Sequence, residues 1–136
     1  MLKLDNYFDI KWLVLAVTFA VFVLILTHVP QEFIPSQLHK SGLDKLQHVV
    51  AYGIITFLFI LSLKNSPSML SSLLIFFTLL AIGMADEITL PLVNRQASYA
   101  DLAADAIGLV TVLLFSAVCK YRFRNTKKRI SRPDKP

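Results

Sequence analysis

Three long stretches without a charged side chain constrain this chain more than any other feature of its sequence. Residues 12–31, 46–63 and 65–85 contain no Asp, Glu, Lys or Arg. A helix needs about 20 predominantly apolar residues to cross a bilayer, and each stretch is long enough. Backbone groups in hydrocarbon must bond within their own segment, which favours helices over strands here. The sequence therefore predicts a polytopic α-helical membrane protein.

A fourth apolar segment spans only if it includes two carboxylates. Its charge-free part, residues 106–119, is too short to cross alone. A helix that starts near Ser98 takes in Asp101 and Asp105, and Ser98 with Asp101 has the spacing of a capping box. The expected fold is all-α, an antiparallel bundle of four transmembrane helices. We predict a single domain over residues 1–120, with spans at about residues 10–30, 45–63, 67–89 and 98–119, followed by a basic tail over residues 121–136.

Local signals indicate where the first three helices begin and end. The first apolar run is longer than the core of a signal peptide, so we expect a retained helix that ends at Pro30. Ser66 is expected to cap the third helix, with Pro67 at its first position, where a missing N–H costs nothing. The third helix should then stop near Pro91.

Positive charge divides unequally between the two sides of the predicted bundle. Four spans put both termini on one side, which then carries Lys3, Lys11, Lys64 and eight cations of residues 120–136. The other side carries only Lys40, Lys45 and Arg95. The positive-inside rule therefore predicts that both termini lie in the cytoplasm.

The basic tail accounts for the net charge of +5. Because its cations directly follow a membrane span, we expect the tail to contact anionic membrane lipids and do not expect nucleic acid as a partner. Beyond about Asn125 the chain is expected to fray. No oligomeric state is predicted.

Ionisable residues gather at the predicted outer ends of the helices. They are Asp44, Lys45, His48 and Tyr52 on the second helix, Asp86 and Glu87 at the end of the third, Arg95 in the next loop, and Ser98, Asp101, Asp105 and Gly108 on the fourth. Residues spaced by three or four positions share one face of a helix. Ionisable groups within spans usually face a bundle interior or a wet cavity, so this set predicts an outward-facing polar site.

Neighbouring carboxylates at low dielectric need cations in order to stay charged. We expect Arg95 to pair with Asp86, Glu87 or Asp101. We also expect Lys45 to pair with Asp44 or Asp105. No cofactor is predicted, and no metal site either, because the spacing of the acids and the histidine matches no standard site.

The same residues resemble a known family. The pattern Asp44-Lys45-x-x-His48-x-x-x-Tyr52, then Asp86-Glu87, then Arg95-x-x-Ser98-x-x-Asp101-x-x-x-Asp105-x-x-Gly108 is similar to that of the VanZ-like membrane proteins. The similarity covers about residues 44–115. It implies a multi-pass protein of the bacterial inner membrane in which these residues form a binding site. The family's founding member is linked to reduced susceptibility to teicoplanin, which implies a cell-wall lipid precursor or a glycopeptide antibiotic as partner.

Several functions are compatible with such a site. The leading hypothesis is a binding protein that modulates cell-envelope precursors or the access of antibiotics to them. The alternative is an intramembrane hydrolase or transferase acting on a lipid-linked substrate. In that enzyme His48 would be the base, Asp101 or Asp44 would orient it, and Ser98 would be the nucleophile. No established catalytic motif is present, which favours binding over catalysis.

Two further hypotheses remain open. Asp105 and His48 are also the residue types of a proton relay, although four short helices leave little room for alternating access. In the last hypothesis the polar residues only clamp the helix ends together.

Overall fold

The computed structural model describes residues 7–33 and 41–130, and this part of the chain is helical. The four long helices are α1 (Ile10–Thr27), α2 (Ser41–Ser62), α3 (Met69–Thr89) and α4 (Tyr99–Ile130). Short 3-10 turns cover Gln31–Phe33 and Leu90–Val93. Each long helix contains a segment long and apolar enough to cross a membrane, which confirms the predicted helical class. Lys3, Lys40 and the last six residues of the predicted tail lie outside the described residues.

The exterior of the bundle is apolar, and several polar side chains are buried inside it. On α1 only Ala16 is buried, while most of its Val, Leu, Ile and Phe side chains face outward. The buried polar residues are Thr56, Ser62, Asp86, Glu87, Asp101 and Asp105. This distribution suits a bundle whose outer surface is covered by lipid.

The beginning of α1 lies against the end of α2. The amide of Asp9 donates to the carbonyl of Ser62 at 2.7 Å, and the amide of Lys64 donates to the carbonyl of Tyr7 at 3.1 Å. These two hydrogen bonds form an isolated bridge next to the turn that leads into α3. Asp9 also caps α1, because its Oδ1 accepts from the amide of Lys11 at 3.1 Å.

The cap of α3 differs from the prediction. Ser68, and not Ser66, is the N-cap, and its Oγ accepts from the amide of Ser71 at 3.1 Å. Pro67 therefore lies outside the helix, where its carbonyl accepts a hydrogen bond from Lys120 Nζ at 2.9 Å. Both serines have the chemistry of an N-cap.

α2 and α4 make the closest helix pair. A Cβ atom in place of the Gly108 hydrogen would overlap the carbonyl oxygen of Val49 and would lie 3.0 Å from the amide nitrogen of Gly53. Small residues let transmembrane helices approach to backbone contact. Further into the bundle, Tyr52, Ile55, Leu79 and Leu109 form the buried apolar core.

α4 continues well past the predicted end of the fourth span at residue 119. It is helical to Ile130, so the expectation of fraying beyond about Asn125 is wrong as far as that residue. The physical reason is that no Gly or Pro interrupts the sequence between Gly108 and Pro133. The first ten residues of the predicted tail are therefore an extension of the helix.

Candidate functional site

Four carboxylates from two helices are buried at one end of the bundle. The exposed fractions are 5% for Asp86 and 6% for Glu87 on α3, and 6% for Asp101 and 1% for Asp105 on α4. Acidic side chains are rarely this buried unless they are paired. Together with Lys45 and His48 of α2, these carboxylates are called the polar cluster below.

His48 is held by the most deeply buried of these carboxylates. Its Nδ1 lies 2.8 Å from Asp105 Oδ1, and the imidazole is 10% exposed. A carboxylate oxygen accepts, so Nδ1 carries the proton and donates, which leaves Nε2 as the second ring nitrogen. The predicted partners of His48, Asp101 and Asp44, do not take this position. Asp105 orients the ring.

Lys45 pairs with Asp101, and not with Asp44 or Asp105 as expected. The distance from Lys45 Nζ to Asp101 Oδ1 is 2.8 Å. Lys45 and His48 lie one turn apart on α2 and meet two acids that lie one turn apart on α4. The two contacts thus form consecutive rungs between α2 and α4. Residue spacing within one helix could not assign these rungs, because the choice depends on the axial offset between two helices.

Glu87 accepts the hydrogen bond from the Ser98 amide that the capping-box spacing assigns to Asp101. In a capping box the acid three positions after the cap accepts from the cap's own amide. Here the amide of Ser98 donates to Glu87 Oε2 at 2.6 Å, so α3 caps the start of α4. Asp101 is thereby free to bind Lys45. Among the described residues, Glu87 Oε1 is the one buried side-chain polar atom without a hydrogen-bond partner.

Asp86 contacts the end of α1, which the sequence did not place in the site. Thr27 Oγ1 donates to Asp86 Oδ1 at 2.8 Å, and His28 Nδ1 lies 3.3 Å from the same oxygen. His28 Nε2 lies 3.0 Å from Thr89 Oγ1. The available signal was a polar Thr-His pair ending an otherwise apolar helix. Such a pair is ordinarily attributed to the membrane interface.

Arg95 joins the loop after α3 to α1 instead of pairing with an acid. Its Nη1 donates to the carbonyl oxygen of Thr27. Within residues 7–33 and 41–130 no carboxylate lies at ion-pair distance from its guanidinium, so the predicted pairing with Asp86, Glu87 or Asp101 is wrong. The last carbonyls of a helix have no partner within the helix and readily accept from cations.

Two glycines give the polar cluster its space. A Cβ atom on Gly83 of α3 would lie 2.9 Å from both Asp105 Oδ2 and Tyr52 Oη. Three helices therefore converge at Gly83, and Tyr52 is only 4% exposed. Gly108, which was predicted as a site residue, meets backbone atoms of α2. Its observed role is helix packing.

A cleft of about 670 Å³ between α1 and α2 reaches His48 of the polar cluster. Asp44, His48, Tyr52 and Arg95 line its polar part, and the remainder is mostly apolar, including Phe19, Phe22 and Val23. Such a cavity has the dimensions of a small-molecule site, in which apolar walls hold the ligand and a few polar groups orient it. The shape and chemistry of this cleft fit an amphiphilic ligand.

Asp44, His48 and Asp101 also have the spacing of a potential cation site. Each offers one ligand atom, and these atoms all lie within 4.8 Å of one another. Two carboxylates and an imidazole are ligands that divalent cations accept. Lys45 Nζ already binds one of the Asp101 oxygens, so a metal ion would compete with an existing positive charge.

No protein-family model, curated protein or solved structure matches this chain. The VanZ-like resemblance thus stays a prediction.

Proposed function

We propose that this chain is a VanZ-like protein of the bacterial inner membrane that binds the polar part of an envelope lipid precursor or of a teicoplanin-type glycopeptide. It thereby modulates cell-envelope precursors or antibiotic susceptibility. The observation that supports this proposal best is the combination of a polar cluster with an adjoining apolar cleft. His48 belongs to the polar cluster and also lines the cleft of about 670 Å³, where Asp44, Tyr52 and Arg95 supply further polar groups.

The proposed orientation is an antiparallel bundle with both termini in the cytoplasm. The ends that meet at the polar cluster are the end of α1, the start of α2, the end of α3 and the start of α4. The cations Lys120, Arg122 and Arg124 lie far along α4 from that cluster. The positive-inside rule assigns such a basic end to the cytoplasm, so the polar cluster faces outward.

The proposed ligand follows from the chemistry of the cleft. Arg95 lines the cleft, and the fork of donors on a guanidinium matches a phosphate. Lys45, three residues before His48 on α2, has a side chain that is 40% exposed, and an ammonium group binds phosphate as a point charge. Asp44 and His48 add an acceptor and a second polar contact, while the phenylalanine-lined part of the cleft suits a hydrocarbon chain. A lipid-linked precursor carries both parts in one molecule.

Deletion of the gene tests the proposal in the cell. We expect altered teicoplanin sensitivity or altered envelope composition, restored by the wild-type chain. Complementation with Asp101→Asn separates a site from a structural clamp, because the amide keeps the shape but loses the charge that binds Lys45. An inserted but inactive variant supports a site, whereas degradation supports the clamp. Arg122→Gln, which changes an exposed cation far from the cluster, is the control. If deletion changes neither property, the proposal fails.

A second candidate function is an intramembrane hydrolase or transferase acting on a lipid-linked substrate. The observation in its favour is the His48–Asp105 pair at 2.8 Å, because a buried carboxylate that fixes one ring nitrogen prepares the other to accept a proton. Ser98 is the proposed nucleophile, and Asp101, bound to Lys45, is the remaining catalytic candidate. Turnover of a lipid-linked substrate by the purified protein, lost in both His48→Ala and Ser98→Ala, would establish catalysis. Binding without turnover would exclude it for that substrate.

A further inference from the structure

Two apolar clefts flank α4 at the end of the bundle away from the polar cluster. The first, of about 1250 Å³, lies between α2 and α4. The second, of about 580 Å³, lies between α3 and α4. Pro67, Lys120 and Arg124 line both clefts. A pair of cations therefore stands where two apolar clefts meet.

Helical spacing makes the walls of the first cleft continuous. On α2 the wall is formed by Phe57, Ile60, Leu61 and Lys64, which are spaced as i, i+3, i+4 and i+7. On α4 it is formed by Val112, Phe115, Ser116 and Cys119, which have the same spacing, and Phe123 continues it one turn further. Each wall is apolar along its length and ends in cations. Hydrocarbon fits the walls, and a negatively charged group fits their basic end.

The charged residues among those described as lining the two clefts are all cations. Among the described residues that line them there is no Asp or Glu. Lys120 Nζ donates to the carbonyl of Pro67 at 2.9 Å, which fixes the ammonium beside the turn between α2 and α3. Arg124 lies one turn further on the same face and is exposed. Its fork of donors matches a phosphate.

We propose that Lys120 and Arg124 bind the phosphate of an anionic membrane phospholipid whose two acyl chains lie in the two flanking clefts. Basic pockets between transmembrane helices are suited to anionic lipid headgroups. The two clefts give the site a shape that loose attraction between a basic tail and a charged surface lacks. This lipid site is separate from the polar cluster and is independent of the function proposed for it.

Native mass spectrometry of the purified full chain in detergent tests the charge requirement. Phosphatidylglycerol is compared with phosphatidylcholine of the same acyl chains. We expect a one-lipid complex that favours phosphatidylglycerol, and we expect Arg124→Gln to weaken it about fivefold. Arg122→Gln removes the same charge two residues away and lines neither cleft, so it should leave binding unchanged. Equal losses in the two variants, or equal binding of the two lipids, would overturn the proposal.

Three consecutive residues of α4 test the requirement for acyl chains. Ser116 lines the first cleft, Ala117 lines the second, and Val118 lines neither. Ser116→Leu and Ala117→Leu should each weaken phosphatidylglycerol binding, whereas Val118→Leu should not. Soluble glycerol 3-phosphate should fail to displace the lipid. Unchanged binding in both cleft-filling variants, or displacement by the soluble headgroup, would refute a two-chain lipid. Helical circular dichroism and monodisperse elution show whether each variant is folded. If a leucine variant is not folded, the comparison of Arg124→Gln with Arg122→Gln still tests the proposal.

Discussion

Charged side chains are buried at one end of this bundle and exposed at the other. At the polar cluster, acids are buried to 6% exposure or less, and fixed cationic or hydrogen-bonding groups meet them. At the basic end, Lys120, Arg122 and Arg124 are exposed, and the ammonium of Lys120 donates to the carbonyl of Pro67. Burial makes each charge depend on a partner at a defined position, whereas an exposed charge needs none. The exact positions of the charged side chains therefore matter at the polar cluster, whereas at the basic end it matters only that the cations are present.

The contact between α2 and α4 also differs between the two ends of the bundle. Near the polar cluster the helices touch backbone to backbone at Gly108 and Val49. Towards the basic end they separate around a cleft of about 1250 Å³. The tight part holds Lys45 and His48 in register with Asp101 and Asp105. Mutations in the tight part should consequently lower the free energy of unfolding far more than mutations at the open end.

Among the variants below, His48→Ala should lower the free energy of unfolding most. His48→Ala leaves the carboxylate of Asp105 buried without its hydrogen-bond donor, and an unsatisfied buried charged group costs about 3 kcal/mol or more. We expect a loss of that size in the free energy of unfolding, measured by titrating micelles with a denaturing detergent. Adding Asp105→Asn should restore part of the loss, because a neutral amide needs no counter-charge. A loss below about 1 kcal/mol for His48→Ala would contradict the buried-pair interpretation.

Adding a methyl group at the tight contact between α2 and α4 should have the next largest effect on the free energy of unfolding. Gly108→Ala places a methyl group against the carbonyl of Val49, so the helices must separate, at a cost of about 3 kcal/mol. Gly53→Ala is the matched control. Its Cβ would lie 3.7 Å from the nearest atom, a Val112 methyl group, so we expect it to be tolerated. The comparison uses the same unfolding measurement. Equal stability of the two variants would show that α2 and α4 are not in backbone contact.

Filling the space at Gly83 should have a smaller effect. The Cβ of Gly83→Ala would crowd Tyr52 Oη and Asp105 Oδ2, each at 2.9 Å, but both are ends of side chains that can move. We expect a loss of about 1–2 kcal/mol in unfolding free energy. Tyr52→Phe removes one of the two crowded oxygens, so Gly83→Ala should cost less in that background. An equal cost in both backgrounds would argue against convergence of these groups.

Changes of charge at the basic end should have the smallest effect on stability. Arg122→Gln and Arg124→Gln each remove an exposed cation, and we expect changes within about 0.5 kcal/mol in lipid-free micelles. The two variants differ only when anionic lipid is added, if Arg124 binds its phosphate. A loss above about 1 kcal/mol without lipid would show that the basic end is as tightly specified as the polar cluster.

Much of this organisation could be predicted from the chain itself. Absence of charge over about twenty residues predicts a helix long and apolar enough to cross a membrane, because hydrocarbon excludes charge wherever the rest of the chain lies. Spacing along one helix also identified which polar residues share a face. Asp86 and Glu87 are buried together on α3, as are Asp101 and Asp105 on α4. These properties depend on solvent and on helical periodicity, which are local.

The choice of partners required the tertiary structure. Lys45 meets Asp101, and His48 meets Asp105, because of the offset between α2 and α4 that the Gly108 contact sets. Glu87, and not Asp101, accepts from the amide of Ser98 because α3 ends beside the start of α4. Thr27 and His28 joined the site because α1 ends beside α3. A sequence fixes what each helix carries and how its faces alternate. Which atoms then lie within 3 Å of one another depends on helix offsets of a few ångströms, and only packing between helices decides those.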